Sequence, residues 1–337
     1  MLLKNLFIAG MAKCGTTALA DWMVTNKLAE DRVPGEKEPM VYALDRPHPG
    51  IFRRAEDLPL LDASVTYAQN PYAIDRLPGI DTHIVLCLKN QFQRTWSHYK
   101  MMKLSRDKTS SEYFSSYFGN GSPHRTWRKS PKFAIQKAWE RSHIAYFPRR
   151  SHPVVSEYFY KELDFIHTHT FQERAEYEIQ FYMSRHTFPF LSILSASLYY
   201  FPLRSLLEKF LPEDITVLSI HKLQDDDLRR QFVQQVFHEE KETPPIPFVF
   251  SSRDLDIGEE KPDFNDPAFN TLRAIFRYDL EQARPLIAQT RFGTQLLDEA
   301  ALDRYLHIET NPVTSPPPPA SNELIFHNFS DLLRKTA

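Results

Sequence analysis

The sequence predicts an α/β fold, three layers deep, with a central, mostly parallel sheet flanked by helices. Three observations predict it. Residues 2–9, LLKNLFIA, form a short apolar run that reads as a buried strand, followed by a glycine loop at 10–15 and a helix from Thr16 to about Lys27. A second apolar, β-rich run, HIVLCLK at 83–89, again leads into a helical segment, Gln91 to about Lys103. A third, ITVLSI at 215–220, lies between the helical patterns at 195–210 and LRRQFVQQVFH. Strands that alternate with helices in this way pair in parallel.

The remaining elements follow in order. Pro34-Gly35 marks a turn, residues 40–44 read as a short extended piece, 61–67 (LDASVTY) as another, and Pro71 opens a short helix. Pro202 displaces or kinks the start of the helix at 195–210. DPAFNTLRAIFRYDLEQARPLIA is a further helix candidate. The expected organisation is one α/β domain over 1–310 with a helical, aromatic and basic insertion at about 105–190. A proline-rich linker and an amphipathic C-terminal helix follow over 311–337.

Composition bounds the function. The 337 residues are 42% hydrophobic and 25% charged with a net charge of −2, so no global charge draws the chain to nucleic acid or membrane. Two cysteines, Cys14 and Cys87, make neither a disulfide framework nor a four-ligand zinc site and fit a reducing compartment. No run reaches the roughly 20 apolar residues of a membrane span, and no secretory pattern precedes the glycine loop. The expectation is a soluble, cytoplasmic protein, unless an N-terminal anchor precedes this sequence.

Residues 6–19 read LFIAGMAKCGTTAL. Gly10 and Gly15 are spaced as in a P-loop, G-x-x-x-x-G-K-[ST], where backbone N–H groups cradle phosphate. Thr16 occupies the lysine slot, and the loop's one lysine, Lys13, comes earlier. Strand, loop and helix in this order present unpaired amides at the positive end of a helix dipole. Lys13 adds charge, and Thr16 and Thr17 add hydroxyls. Two readings stay open on these residues alone: an NTP-binding loop lacking its lysine, or a loop built for another phosphate donor.

The K-x-G-T-T pattern resembles the 5′-phosphosulfate loop of sulfotransferases that use 3′-phosphoadenosine 5′-phosphosulfate (PAPS). A second segment, Lys89-Asn90-Gln91-Phe92-Gln93-Arg94-Thr95-Trp96-Ser97-His98-Tyr99, is similar to that family's R-N-P-x-x-R-x-x-S-x-Y, with Lys89 for arginine and Gln91 for proline. A third, Gly35-Glu36-Lys37-Glu38-Pro39, resembles the K-E-P segment of the carbohydrate and heparan-type branch. A fourth, Asp62-Ala63-Ser64-Val65-Thr66-Tyr67, is close to E-K-S-P-x-Y, with Ala63 where lysine is common. The resemblance covers residues 1–100 and, faintly, 195–290.

The resemblance implies a P-loop-like fold and a PAPS donor held by Lys13, Cys14, Gly15, Thr16, Thr17, Lys89, Arg94 and Ser97, with Lys89 and Ser97 on the 3′-phosphate. It makes Glu38 the general base and Lys13 the catalytic cation, with no metal. The acceptor is expected to be a saccharide or glycoconjugate; a small alcohol, phenol or lipid is the alternative. Lys37, Arg125, Arg128 and Arg149 are candidate acceptor contacts. Between Arg125 and Arg150 stand eight Lys/Arg and one acid, Glu140, read either as a cleft lining or as a solvated basic face. Arg253 is placed on the adenine side by position alone. Two rival classes remain: a P-loop kinase or NTPase, and a protein that binds a phosphoadenosine nucleotide without transfer. His167 and His169 lack a Cys or carboxylate at ligand spacing.

Overall fold

The computed structural model describes residues 3–43, 53–104, 152–189, 191–247 and 256–305. Arg125, Arg128, Arg149, Arg253 and the segment 311–337 lie outside them. Five strands form one sheet: β1 (Asn5–Gly10), β2 (Glu30–Asp31), β3 (Leu60–Asp62), β4 (Thr82–Cys87) and β5 (Ile215–Leu218). Their order is β2-β3-β1-β4-β5, and every pairing is parallel. β4 and β5 are buried along their whole length, as is β1 after Asn5. Burial on both faces explains why these strands read as continuous apolar runs rather than alternating ones.

Nine helices are described. They are α1 (Thr16–Thr25), α2 (Pro71–Arg76), α3 (Gln91–Leu104), α4 (His152–Thr168), α5 (Phe171–Arg185), α6 (Tyr200–Leu207), α7 (Asp226–Phe237), α8 (Asn270–Ile287) and α9 (Glu299–Asp303). Capping residues set several of their starts. Asn70 caps α2 ahead of Pro71, Thr170 and Glu173 close a capping box on α5, and Asp225 caps α7. In α8, Leu272, Phe276, Leu280, Ala283 and Ile287 form the buried stripe, and this helix packs on α6. Among the described residues no helix is long and apolar enough to cross a membrane.

Three expected elements differ, each for a local reason. The extended piece over 61–67 stops at Asp62. The Asp62 carboxylate takes the amide and hydroxyl of Ser64, and the chain turns into a 3₁₀ segment at Tyr67–Gln69. Residues 41–43 are a turn, not a strand. Met40 sits at φ 53°, and the amide of Tyr42 is drawn to the Tyr67 hydroxyl. The single helix over 195–210 is a 3₁₀ turn, Ser195–Ser197, followed by α6. The carboxylate of Asp279 captures the amides of Tyr199 and Tyr200 at the break. Pro202 falls in the first turn of α6, where a missing N–H costs nothing.

Topology now locates the site. From β1 the chain crosses to β2 on one side; from β4 it crosses to β5 on the other. β1 and β4 are neighbours, so their carboxyl ends flank the crevice where connections diverge. All five strands being parallel, the segments that follow each of them open on the same edge.

Candidate functional site

The loop after β1 is anchored to β4. Met11 donates its amide to the Cys87 carbonyl (2.9 Å), and Cys14 closes a turn onto the Met11 carbonyl (3.1 Å). Lys13 (φ 70°) and Gly15 (φ 88°) are both left-handed. A Cβ on Gly15 would stand 2.9 Å from Ile220, so only glycine fits there. α1 begins at Thr16 with no side chain capping it. Its first-turn amides and dipole therefore face the crevice, a standing preference for an anion.

Arg94 holds this loop from behind. Its side chain is fully buried. Nε donates to Ala12 O (3.0 Å) and one terminal nitrogen to Ile193 O (2.8 Å) and Ser197 Oγ (3.2 Å); the other contacts His98 Nδ1. Arg94, expected at the donor, directs four of its five N–H groups at the chain. Ser97, one turn further along α3, is buried too.

Lys89 follows β4. Its carbonyl accepts from the Tyr199 hydroxyl (2.6 Å). Burial pushes its ammonium down to about 8; Lys13, Arg94 and Lys100 press the same way, and Cys14 opposes them. Crowded cations of this kind are the electrostatic counterpart of an anion site. The Cys14 thiol is pushed up by burial, against the pull of Lys89 and Arg94, which makes it a packing group rather than a nucleophile. Gln91 does what the expected proline could not. Its Nε2 donates to Ser197 O (2.8 Å) and Asp279 Oδ2 (2.9 Å), tying the start of α3 to α8.

The segment after β2 supplies Lys37 and Glu38. Glu36 N bonds Val33 O (2.9 Å) around Pro34 and Gly35, the latter at φ 76°, which is the residue pattern of a type II turn. Beyond the turn Lys37 is buried. Its Nζ lies 2.5 Å from Glu38 Oε1 and 3.4 Å from Thr16 Oγ1. Glu38 itself is half-buried. Lys37, expected to contact an acceptor, thus reaches the head of the glycine loop, where the sequence lacks a lysine.

A brace from β3 fixes Glu38's segment. Ala63 N donates to Lys37 O (3.0 Å), Met40 N to Ser64 Oγ (2.9 Å) and Tyr42 N to Tyr67 OH (3.2 Å). Behind them Asp62 accepts from Ser64 Oγ (2.6 Å) and Tyr67 OH (2.8 Å). Burial pushes Asp62 up to about 6, against these bonds and Arg32. The D-A-S-V-T-Y pattern alone does not mark Asp62 as a brace. Asp279, the equivalent behind Lys89, left no sequence signal.

The two histidines serve packing: His167 meets Met102 O (3.1 Å) and His169 stacks on Phe165 (3.8 Å between centroids). The edge of the sheet thus gathers an open helix terminus, Lys13, Lys37 and Lys89, and one carboxylate, Glu38. Such a set can hold an oxyanion and accept a proton beside it. No family model matches the chain, and no curated protein matches it.

Proposed function

We propose that this chain is a sulfotransferase of P-loop-like fold that moves the sulfuryl group of PAPS to a hydroxyl or amine of a saccharide or glycoconjugate. One observation carries the reading: the segments 10–17, 35–39 and 89–97 follow β1, β2 and β4 and so meet at one edge of a parallel sheet, at its switch point. The residues present fit the donor. An uncapped helix terminus behind a left-handed glycine suits its 5′-phosphate, and Lys89 in a cluster of cations suits its 3′-phosphate.

Lys13, Cys14, Gly15, Thr16 and Thr17 would hold the 5′ side, and Lys89 and Ser97 the 3′ side, with Arg94 fixing the loop. Bound, PAPS supplies an activated sulfuryl group. Lys13 and the loop amides stabilise negative charge as it builds on the departing phosphate. Glu38 accepts the proton of the acceptor hydroxyl or amine. Lys13→Ala and Glu38→Gln should each lower transfer by about 10²-fold or more, with circular dichroism unchanged. A phenol, small alcohol or lipid as acceptor is separated from a saccharide by an acceptor panel with labelled donor.

Phosphoryl transfer from ATP draws on one observation, the approach of Lys37 Nζ to Thr16. Asp62, the acid at the end of the neighbouring strand, does not assist that reading: its carboxylate is buried and bonded to Ser64 and Tyr67. A thermal-shift panel decides between them. Stabilisation by adenosine 3′,5′-bisphosphate above ATP and GTP supports the proposal. Magnesium-dependent ATP turnover overturns it, and bisphosphate binding without any transfer leaves a nucleotide-binding protein.

A further inference from the structure

Lys37 stands between the two halves of the proposed chemistry. Its ammonium is buried, 2.5 Å from the Glu38 carboxylate and 3.4 Å from the hydroxyl of Thr16, the first residue of α1. Its main chain cannot retreat, because Lys37 O is pinned by Ala63 N and the neighbouring Met40 amide by Ser64. Only the head of the side chain is free to choose, on a four-carbon stem with three donor hydrogens. An anion seated on the amides of α1 lies beside Thr16 and hence within reach of that head. The Glu38 side chain is 23% exposed and has water to fall back on.

Building on the sulfotransferase reading, we propose that Lys37 is a positioning residue that couples donor binding to release of the base. Without an anion, Lys37 occupies Glu38 Oε1. With a phosphate on the loop, the ammonium turns to it, and Oε1 becomes available to take the acceptor's proton. Binding is then ordered, donor before acceptor, and Glu38 competes with the donor for one ammonium.

Competition gives a signature that activity measurements alone do not. Titration calorimetry of adenosine 3′,5′-bisphosphate on the full chain reads it. Glu38→Gln removes the competitor and should tighten binding about fivefold. Lys37→Met should weaken it by about tenfold or more. In the Lys37→Met background, Glu38→Gln should change nothing. An equal gain in both backgrounds, the mark of mere charge removal, overturns the coupling, as does no gain in either. Should Lys37→Met fail to fold, Lys37→Arg replaces it. A guanidinium fork serves both partners at once, so the Glu38→Gln gain should fall to less than half, and a full gain sinks the idea. If the wild-type chain binds no bisphosphate, the sulfotransferase reading itself falls. Binding that ignores Glu38 removes this coupling alone.

Discussion

The Glu38 half of the site is held by its near neighbours in the chain, the Lys89 half by residues supplied much later. Met40 and Tyr42 are fixed by Ser64 and Tyr67, 24 and 25 positions on. Around Lys89 the partners are Tyr199, 110 positions away, Asp279, bonded to Gln91 across 188, and Leu302, bonded to Asn90 across 212. Each half ends in a buried carboxylate that accepts several donors. Asp62 is pushed up to about 6 and Asp279 to about 7 by burial, against their hydrogen bonds. Asp62 also has Arg32 to favour its charge. The difference teaches that a motif in register is not yet a site: one half is braced by the next strand along the chain, the other by residues more than 100 positions on.

The largest effect that tests this contrast is Asp279→Ala. It strands the amides of Tyr199 and Tyr200 and takes one of the two partners of Gln91 Nε2. At about 1–3 kcal/mol for each unmet buried donor, roughly 3 kcal/mol or more of stability should go. Bisphosphate affinity should fall with it; an unmoved urea midpoint would show that α8 does not brace the site.

The same carboxyl sets a pH window. Its folded value of about 7 lies above the ordinary 3.8, so the native chain binds the extra proton between them. Stability from this group is full below about pH 4 and is lost as pH rises towards 7. Urea titrations of wild type against Asp279→Asn should show the wild type losing ground over that range, by about 4 kcal/mol, then a plateau. A difference that grows in the wild type's favour would reverse the assignment.

Asp62→Ala comes next, at about 2 kcal/mol. It should loosen Glu38 and, through the Lys37 main chain, the donor side as well, with transfer falling further than bisphosphate binding. If binding drops in step with turnover, the halves are not separate. The smallest effect concerns Lys89, whose ammonium burial pushes down to about 8. Bisphosphate affinity should weaken about tenfold from pH 7 to 9, because binding must restore the lost proton. Lys89→Arg keeps its charge and should flatten that profile.

What was legible in the sequence divides along the same line. The strand, loop and helix at 2–27, the second strand and helix at 83–103, and the G-E-K-E-P turn could be read because each is a local pattern. The stop of β3 at Asp62 was missed because a side chain, not a turn residue, bends the chain there. Gln91 looked like a departure from a pattern, and its purpose is visible only once α8 lies beside α3. Asp279 sits on the buried stripe of an amphipathic helix, where a lone acid reads as a flaw in the stripe. Lys37 was placed on the acceptor because sequence order cannot show that a turn folds it back onto Thr16.

The hydrogen bond from Gln91 to Asp279 also dates the site in the life of the chain. A ribosome that has made residues 1–200 has already made the glycine loop, the Glu38 turn and the Lys89 segment. The carboxylate that fixes the start of α3 has still to be translated. Domains tend to fold as units as they emerge, so a nascent chain arrested before α8 should hold the local patterns of the site yet leave the start of α3 unfixed. The Lys89 side of the crevice would then be completed only after α8 has emerged, well after its own segment was made.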